Sequence, residues 1–234
     1  MPDQVLYLLP GLLCDASVWQ PQVRDLADIT ETRIADFYGF DSLTEMARSV
    51  LAGAPAHFAV AGHSMGARVA LEIIRLAPER VERLALLDTG VHPRREGEAE
   101  KRQILVNLAF EKGMEALAAA WLPPMVHPKR QKDMELMGPL TEMVCGATPE
   151  IFSRQVKALL NRPDAASSLG AIKCPVLVAC GRQDTWSPLV QHEEIAAAIP
   201  HAKLSIFEES GHMATVEAPE TVNAALRDWL AVAA

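Results

Sequence analysis

The sequence predicts an α/β protein, with a mostly parallel sheet of about six strands flanked by helices and with an inserted helical lid. Short apolar runs rich in β-branched residues recur along the chain, and helical patterns lie between them. These runs do not alternate cleanly between apolar and polar residues, which is typical of strands that helices cover on both faces. One long stretch, residues 92–169, has helical patterns but no convincing strand.

Six apolar runs are predicted to be strands. Because strands alternate with helices along the chain, the sequence indicates parallel pairing with helices on both sides of the sheet. In chain order the predicted strands are Val5–Leu9, Thr32–Asp36, Phe58–Ala61, Leu84–Leu87, Val176–Ala179 and Leu204–Phe207.

The helices between these strands are predicted from apolar periodicity and from their starting residues. The segment Ala67–Ala77 has apolar residues at the i, i+3, i+4, i+7 spacing of an amphipathic helix. Ser187 followed by Pro188 predicts a helix start with serine as the N-cap, and Pro219 marks the start of the last helix. The predicted buried faces comprise Val69, Ala70, Ile73, Ile74 and Ala77 in the first helix and Val222, Leu226, Trp229 and Leu230 in the last.

Residues 92–169 are predicted to be a helical lid inserted into a core formed by residues 1–91 and 170–234. A stretch of that length is too long to be a plain connection between two strands of one sheet. The breaks Pro123-Pro124 and His127-Pro128 divide it. The helices predicted within it are Lys101–Phe110, Met114–Trp121, Lys129–Cys145 and Pro149–Asn161.

Composition limits the classes of partner. The 234 residues are half apolar and 22% charged, which is ordinary for a soluble globular protein with a full core. The net charge of −8 and the lack of a basic cluster argue against nucleic-acid and anionic-membrane partners. The apolar run that begins at Val5 is short and interrupted by Pro10 and Gly11, so we expect no signal peptide, no membrane span and a cytoplasmic protein. Nothing in the sequence indicates an oligomeric state.

The four cysteines are predicted to be free and buried thiols. Cys14, Cys145, Cys174 and Cys180 form no CxxC pair and no Cys/His spacing suited to a metal. We therefore expect neither a metal nor another cofactor.

The segment Gly62-His63-Ser64-Met65-Gly66 fits the pattern G-x-S-x-G. A strand is predicted before it and an amphipathic helix after it, and this strand–turn–helix setting is what a nucleophilic serine on a tight turn requires. The start of the helix favours the negative charge that develops at such a serine. The alternative is an inactive glycine-rich turn.

A serine hydroxyl is a weak nucleophile and needs a base, which in turn needs a carboxylate to fix its tautomer. His212 lies between the last strand and the last helix, where a base could reach over Ser64. Asp184 follows the fifth strand, and the order Ser…Asp…His then holds. We predict Ser64, Asp184 and His212 as the catalytic residues, with His92 and Asp88 as the rival base and acid.

Acyl transfer also needs hydrogen-bond donors for the oxyanion. The backbone N–H after the nucleophile, that of Met65, is one candidate. The loop after the first strand contains Pro10-Gly11, which could turn the Leu12 N–H towards Ser64. An ordinary turn would have the same sequence.

Four motifs resemble, in order and over nearly the whole chain, those of the α/β-hydrolase superfamily: Pro10-Gly11-Leu12, Gly62–Gly66, Gly181–Asp184 and Gly211-His212. The resemblance implies that fold, a helical lid and acyl or related chemistry without cofactors. The family usually has His-Gly where this chain has Pro10-Gly11, but backbone N–H groups form the oxyanion hole. The family also usually has a hairpin before this loop, so the sheet is expected to lack the first two family strands.

The leading hypothesis is hydrolysis of a small carboxylic ester or lactone through an acyl-Ser64 intermediate. A serine nucleophile is unlike the dehalogenases and epoxide hydrolases of the superfamily. Two alternatives stay open: a lyase or carbon–carbon bond hydrolase that uses His212 and Asp184 for proton transfer, and a non-catalytic ligand-binding protein on a hydrolase scaffold.

The substrate pocket is predicted less directly. Its candidate residues are Trp19, Trp121, Met125 and Trp186, each of which could equally pack in the core. No arginine stands out as a carboxylate clamp, although the pair Arg94-Arg95 could be one. We therefore expect a substrate with a modest apolar acyl group and no strong charge.

Overall fold

The computed structural model describes residues 4–232. Within them lies one sheet with six strands, which are β1 (Val5–Leu9), β2 (Glu31–Ile34), β3 (Phe58–His63), β4 (Val81–Leu87), β5 (Val176–Gly181) and β6 (Lys203–Phe207). The strands lie in the order β2-β1-β3-β4-β5-β6, and every neighbouring pair is parallel. The predicted six-stranded parallel sheet is confirmed.

The direction of the strand order reverses at β1. From β1 the chain runs outward to the edge strand β2 and then returns to β3 on the other side of β1. The connections after β1 and β3 therefore diverge at the carboxyl edge of two adjacent strands, where α/β sheets form a binding crevice. Ser64 directly follows β3 at this edge.

Five of the six strands differ from the prediction by one to three residues at one or both ends, and two of these strands, β4 and β2, have a physical reason. β4 begins at Val81, three residues before the predicted start at Leu84. A charged residue usually indicates a solvent-exposed position, but Arg83 is buried within this strand. β2 covers Glu31–Ile34 instead of Thr32–Asp36, and its side chains alternate between exposed and half-buried, as on an edge strand.

Nine helices accompany the sheet in the described chain. Every residue of β3 and β5 is buried. Since successive side chains of a strand point to opposite faces, both faces of the sheet are covered. The helices are α1 (Gln20–Leu26), α2 (Leu43–Gly53), α3 (Met65–Leu76), α4 (Glu98–Trp121), α5 (Met134–Cys145), α6 (Pro149–Leu160), α7 (Leu189–Ala198), α8 (Ala214–Glu217) and α9 (Pro219–Ala231).

The predicted apolar faces of α3 and α9 are buried, and α2 packs on α3 while α1 packs on α9. The predicted cap of α7 is wrong. Pro188 is the N-cap, and the Ser187 N–H donates instead to the carboxylate of Asp184. The serine is therefore drawn into the loop that precedes the helix.

The segment between β4 and β5 is helical, as predicted, and α4 packs against both α5 and α6. The two helices predicted at 101–110 and 114–121 are joined as α4, which is interrupted at Gly113, where φ is 83°. The helix predicted from Lys129 begins only at Met134, because the Asp133 side chain caps it and Pro128–Arg130 forms a separate 3-10 turn. That residues 92–169 form a lid on a core of two parts stays a proposal.

None of the helices in residues 4–232 combines the length and the apolar character needed to cross a membrane.

All four cysteines are free thiols. Cys14 and Cys180 are buried, whereas Cys145 and Cys174 are half-buried.

Candidate active site

Ser64 occupies the tight turn between β3 and α3. Its backbone lies at φ 55° and ψ −114°, a region that L-residues rarely adopt. A Cβ on Gly62 would overlap the backbone of Gly66 and Ala67, and one on Gly66 would overlap the Leu9 carbonyl. The two glycines therefore permit the close approach of β1, β3 and α3 that holds the serine in this strained turn.

The Ser64 hydroxyl is hydrogen-bonded to His212, which is hydrogen-bonded to Asp184. His212 Nε2 lies 2.8 Å from Ser64 Oγ, and His212 Nδ1 lies 2.7 Å from Asp184 Oδ2. A carboxylate on Nδ1 fixes the proton there and leaves Nε2 free to accept the serine proton. The structure thus brings together the three residues that the sequence singled out.

Asp184 is held as a carboxylate by its surroundings. Its Oδ1 accepts the N–H groups of Trp186 at 2.8 Å and Ser187 at 2.9 Å. Burial alone would raise its pKa, but the charge and hydrogen bond of His212 and these two amides hold the pKa below its ordinary value. The acid is therefore ionised at neutral pH.

The rival acid Asp88 takes another position. Its Oδ1 accepts the Gly181 N–H at 2.9 Å, and its Oδ2 lies 3.9 Å from His63 Nε2 without a hydrogen-bond partner. Burial, and then the negative charge of Asp184, raise the pKa of Asp88 well above its ordinary value. The rival base His92 uses its carbonyl to accept from Arg68 and Arg162.

His63, the residue before the serine, supports the loop of His212. Its Nε2 lies 2.7 Å from the His212 carbonyl oxygen, which can only accept, so Nε2 carries the proton. Burial, and then the proximity of His212, lower the pKa of His63 to about 4. No sequence pattern predicted a contact of His63 with the His212 loop.

His192 supports the serine from a different direction. Its Nε2 accepts the Thr89 N–H at 2.8 Å, and the Thr89 hydroxyl donates to the Ser64 carbonyl at 3.0 Å. Burial lowers the pKa of His192 to about 4, so the ring is neutral and its Nε2 lone pair remains available to the amide.

Glu217, in α8, connects the His212 loop to the helical segment between β4 and β5 through hydrogen bonds. Its Oε1 accepts the N–H groups of Gly211 at 2.9 Å and Met213 at 3.2 Å, and its Oε2 accepts that of His127 at 2.7 Å. The His212 N–H donates to the Met125 carbonyl at 2.7 Å. Neither Glu217 nor His127 carries a sequence motif that could have predicted this role.

The two predicted oxyanion donors lie on the wall of one cavity together with Ser64. Leu12 and Met65 both line it, and within residues 4–232 neither of their N–H groups donates to a protein acceptor. A Cβ on Gly11 would lie 3.2 Å from Ser64 Cβ, so the loop after β1 runs against the serine turn.

The cavity has a volume of about 550 Å³, and Ser64 and His212 line it. Of the predicted pocket residues, Trp121 and Trp186 line it, with their ring centroids 6.3 Å apart. Trp19 and Met125 do not line it: Trp19 is fully buried in a 3-10 turn after β1, and Met125 is buried with its carbonyl on His212.

The wall of the cavity is more cationic than the sequence suggested. Five cationic side chains and two carboxylates line it, which are Arg68, Arg95, Lys101, Arg102, Arg162, Glu96 and Glu98. These residues lie on α3, on α4 and in the two connections that flank the helical segment, so only the fold brings them together. Arg94, the other half of the pair singled out earlier, does not line the cavity.

In residues 4–232 no group of three His, Cys, Asp or Glu side chains is arranged to hold a metal ion. A general base on a hydroxyl, a fixed carboxylate and free backbone donors are suited to nucleophilic acyl transfer.

A model of the alpha/beta hydrolase family matches residues 6–225 of the chain. The chain is similar to a protein of Escherichia coli O157:H7 named putative carbamate hydrolase RutD, with 26% identity over 250 residues that cover 97% of this chain and 91% of that protein.

Two solved structures are also similar. One is a thermophilic esterase from Thermogutta terrifontis with malate bound, at TM-score 0.88 and 25% identity, covering 98% of this chain and 90% of that one. The other is the enol-lactonase from Burkholderia xenovorans LB400, at TM-score 0.89 and 23% identity, covering 98% of this chain and 92% of that one.

Proposed function

Because the chain belongs to the alpha/beta hydrolase family, we propose that it is a serine hydrolase that cleaves a small carboxylic ester or lactone through an acyl-Ser64 intermediate. One observation carries the proposal: the hydrogen-bonded series from Asp184 through His212 to the Ser64 hydroxyl, at 2.7 Å and 2.8 Å, opens into a cavity. The named relatives, a putative carbamate hydrolase and an esterase, support hydrolysis as the class of reaction.

Acylation begins when Ser64 Oγ attacks the carbonyl carbon of the substrate while His212 Nε2 takes the hydroxyl proton. The carbonyl oxygen becomes an oxyanion, which the backbone N–H groups of Leu12 and Met65 stabilise. The tetrahedral intermediate then breaks its bond to the alcohol oxygen, and the imidazolium of His212 protonates that oxygen as it leaves.

Deacylation repeats these steps with water. His212 takes a proton from the water, whose oxygen attacks the acyl carbon, and the bond to Ser64 Oγ breaks. His212 returns the proton to Ser64, and the carboxylic acid leaves. Asp184 stays ionised throughout and stabilises the imidazolium that forms twice in each cycle.

The supporting residues give this cycle its geometry. His63 holds the His212 carbonyl, and Thr89, oriented by His192, holds the Ser64 carbonyl. With residues 92–169 as a lid, the Trp121 ring forms the roof of the cavity above the pair of Ser64 and His212. Such fixed positions lower the barrier because little reorganisation is needed in the transition state.

A fluorophosphonate probe tests the proposal directly. We expect stoichiometric labelling of Ser64, located by peptide mass spectrometry, and a p-nitrophenol burst with p-nitrophenyl acetate. Ser64→Ala should abolish both, whereas Ser49→Ala, an exposed serine on α2, should change neither. A protein that is folded but shows neither labelling nor a burst would instead be a non-catalytic ligand-binding protein.

The substrate class is tested with a panel of short acyl esters, lactones, thioesters and carbamates. We expect esters or lactones to give the highest kcat/KM. Carbamates belong in the panel because of the name of the E. coli relative. Turnover of carbamates alone would overturn the ester and lactone assignment and keep the acyl-Ser64 mechanism.

A further inference from the structure

We propose that the cavity beside Ser64 is a carboxylate-binding site centred on Arg68, and that the substrate carries a carboxylate a few atoms from the bond that is cleaved. This inference rests on the proposed function and deepens it, since it names the chemical class of the substrate. It departs from the apolar, uncharged acyl group that the sequence alone suggested.

Arg68 is close to the serine along α3. It follows Ser64 by four residues, and its N–H lies 3.4 Å from the Ser64 carbonyl oxygen. One helical turn, with a rise of about 5.4 Å, therefore separates the two residues. Both line the same cavity, so a single small molecule can contact the two side chains.

Most N–H groups of the Arg68 guanidinium have no acceptor within residues 4–232. Of its five N–H groups, one donates to the His92 carbonyl at 3.0 Å. Within residues 4–232 no carboxylate is paired with it, and no second acceptor lies at hydrogen-bond distance. A guanidinium with a free edge binds a carboxylate through two parallel hydrogen bonds.

The neighbouring arginines do not have this freedom. Arg162 is buried and donates to both oxygens of Glu98 and to three backbone carbonyls, and Arg102 donates to the same Glu98. One carboxylate thus serves two guanidinium groups, and positive charge remains in excess. Arg95 and Lys101, which are exposed at the rim, add to that excess.

This local charge is opposite to that of the molecule, which has a net charge of −8. Burial, and then the nearby Arg162, lower the pKa of Arg68 to about 9, so its guanidinium is still charged at neutral pH. A bound anion would relieve the repulsion among these cations in a partly desolvated cavity. The ionised Glu98 in the same wall favours a singly charged carboxylate over a phosphate dianion.

The apolar part of the cavity wall indicates what the rest of the ligand is. Trp121, Phe152 and Trp186 lie on one side, with the Trp186 ring centroid 6.4 Å from that of His212. A short carbon chain against these rings, ending in a carboxylate at Arg68, fits the cavity. Half-esters of succinate or glutarate, and lactones that bear a carboxylate, have this chemistry.

The test compares 4-nitrophenyl hydrogen glutarate with the neutral 4-nitrophenyl valerate, which has the same number of acyl carbons. We expect wild type to prefer the anionic ester by tenfold or more in kcat/KM. Arg68→Met should lower kcat/KM for the anionic ester by about 10- to 100-fold, the range for losing hydrogen bonds to a charged group, and change the neutral ester less than about threefold. Arg75→Met, also on α3 but outside the cavity, is the matched control.

A binding measurement separates this inference from the proposed hydrolysis. Glutarate binding to the Ser64→Ala variant is followed by the fluorescence of the tryptophans at the cavity. Binding that Arg68→Met abolishes supports the site even when wild type cleaves neither ester, an outcome that would defeat only the proposed hydrolysis. Equal turnover of both esters without inhibition by glutarate would overturn the site and leave the hydrolase intact.

If Arg68→Met does not fold, Arg68→Lys tests the contact of Arg68 with the carboxylate. The lysine keeps the charge but cannot make two parallel hydrogen bonds, so the affinity for glutarate should fall severalfold. Glutarate affinity that is unchanged in a folded Arg68→Lys variant would overturn the bidentate contact. Phosphate binding tighter than glutarate to the Ser64→Ala variant would overturn the assignment to a carboxylate.

Discussion

At the scale of single residues, the site depends on two hydrogen bonds, 2.8 Å from Ser64 to His212 and 2.7 Å from His212 to Asp184. Since each residue has a function only through the next, their losses are not additive. Ser64→Ala, His212→Ala or Asp184→Asn should each lower kcat by about 10⁴-fold or more while the fold is kept. The double variant Ser64→Ala/His212→Ala should lose little beyond either single change, as measured by steady-state kinetics and circular dichroism.

Asp88→Asn is the control for the assignment of the acid. Burial raises the pKa of its carboxyl well above the ordinary value, and an amide oxygen can still accept the Gly181 N–H, so kcat should change only severalfold. A nearly normal Asp184→Asn variant beside an inactive Asp88→Asn variant would transfer the role of the acid to Asp88.

The buried histidines predict how stability depends on pH. Both His63 and His192 have pKa values lowered from 6.5 to about 4, so the unfolded chain binds more protons between these values. Their contribution to stability is present above pH 6.5 and is lost as the pH falls towards 4, at most by about 3 kcal/mol for each residue. Urea unfolding of wild type at pH 4 to 7 should show this loss.

The variant His63→Gln should reduce that loss by up to half, since one of the two titrating rings is removed. His57→Gln, an exposed histidine before β3, should leave the pH dependence as in wild type. The same pH dependence in all three proteins would contradict the burial of a neutral His63.

Residue patterns singled out Ser64, His212 and Asp184, which the structure brings together, because each lies next to a strand end that the sequence itself marks. They did not predict His63 or Glu217, whose contacts are to backbone groups of the His212 loop. A backbone acceptor or donor does not depend on residue identity, so no sequence pattern predicts such a contact.

At the scale of secondary-structure elements, Glu217 connects α8, the His212 loop and the turn at His127. Removing its carboxylate would leave three buried N–H groups without acceptors, each costing about 1–3 kcal/mol unless water enters. Glu217→Ala should therefore lower the free energy of unfolding by about 3 kcal/mol or more, and kcat by about tenfold because His212 loses its fixed position.

The measurement is urea unfolding together with kcat, and Glu217→Gln, which keeps one carbonyl acceptor, should lose less of both. Glu220→Ala, an exposed residue at the start of α9, is the matched control. Unchanged kcat in a destabilised Glu217→Ala variant would limit this residue to a structural role.

The elements that the sequence predicted well are those with one clear periodicity, such as α3 and α9. The start of α5 was predicted too early because Lys129 continues a helical pattern, whereas the side chain of Asp133 caps the helix. Here the local hydrogen bond of a cap overrides periodicity, as happens at many helix ends.

At the scale of the whole molecule, Trp121 of α4 packs against Trp186 of the loop before α7 in the wall of the cavity. Trp121 is buried, while Trp186 is 38% exposed. Trp121→Ala should destabilise the fold by about 3–5 kcal/mol, and Trp186→Ala by less. With the roof removed, the preference should move from short to longer acyl esters, as read from kcat/KM over acyl lengths of two to eight carbons; an unchanged length profile would contradict a roof formed by Trp121.

The sheet and its helical insertion could be predicted because strands and helices leave periodic signals over many residues. The cationic wall of the cavity could not, because Arg68, Arg102 and Arg162 are far apart in sequence, and each alone resembles a solvated charge. Only the folded chain shows which charges face one another.

The position of the helical segment affects how such a protein can diversify. The segment leaves the sheet at β4 and returns at β5, which are direct neighbours, and Leu84 pairs with Val176. The entropy of closing a loop grows with the logarithm of its length, so doubling the segment costs only about 0.6 kcal/mol. Its bonds to the His212 loop and α8 include the backbone carbonyl of Met125 and the backbone N–H of His127, groups that any residue except proline supplies. The side chains of Lys129 and Arg130 make two further bonds to the same region. Recombination can therefore exchange the whole segment for one of different length and composition, and select new substrates, while Ser64, His212 and Asp184 keep their positions.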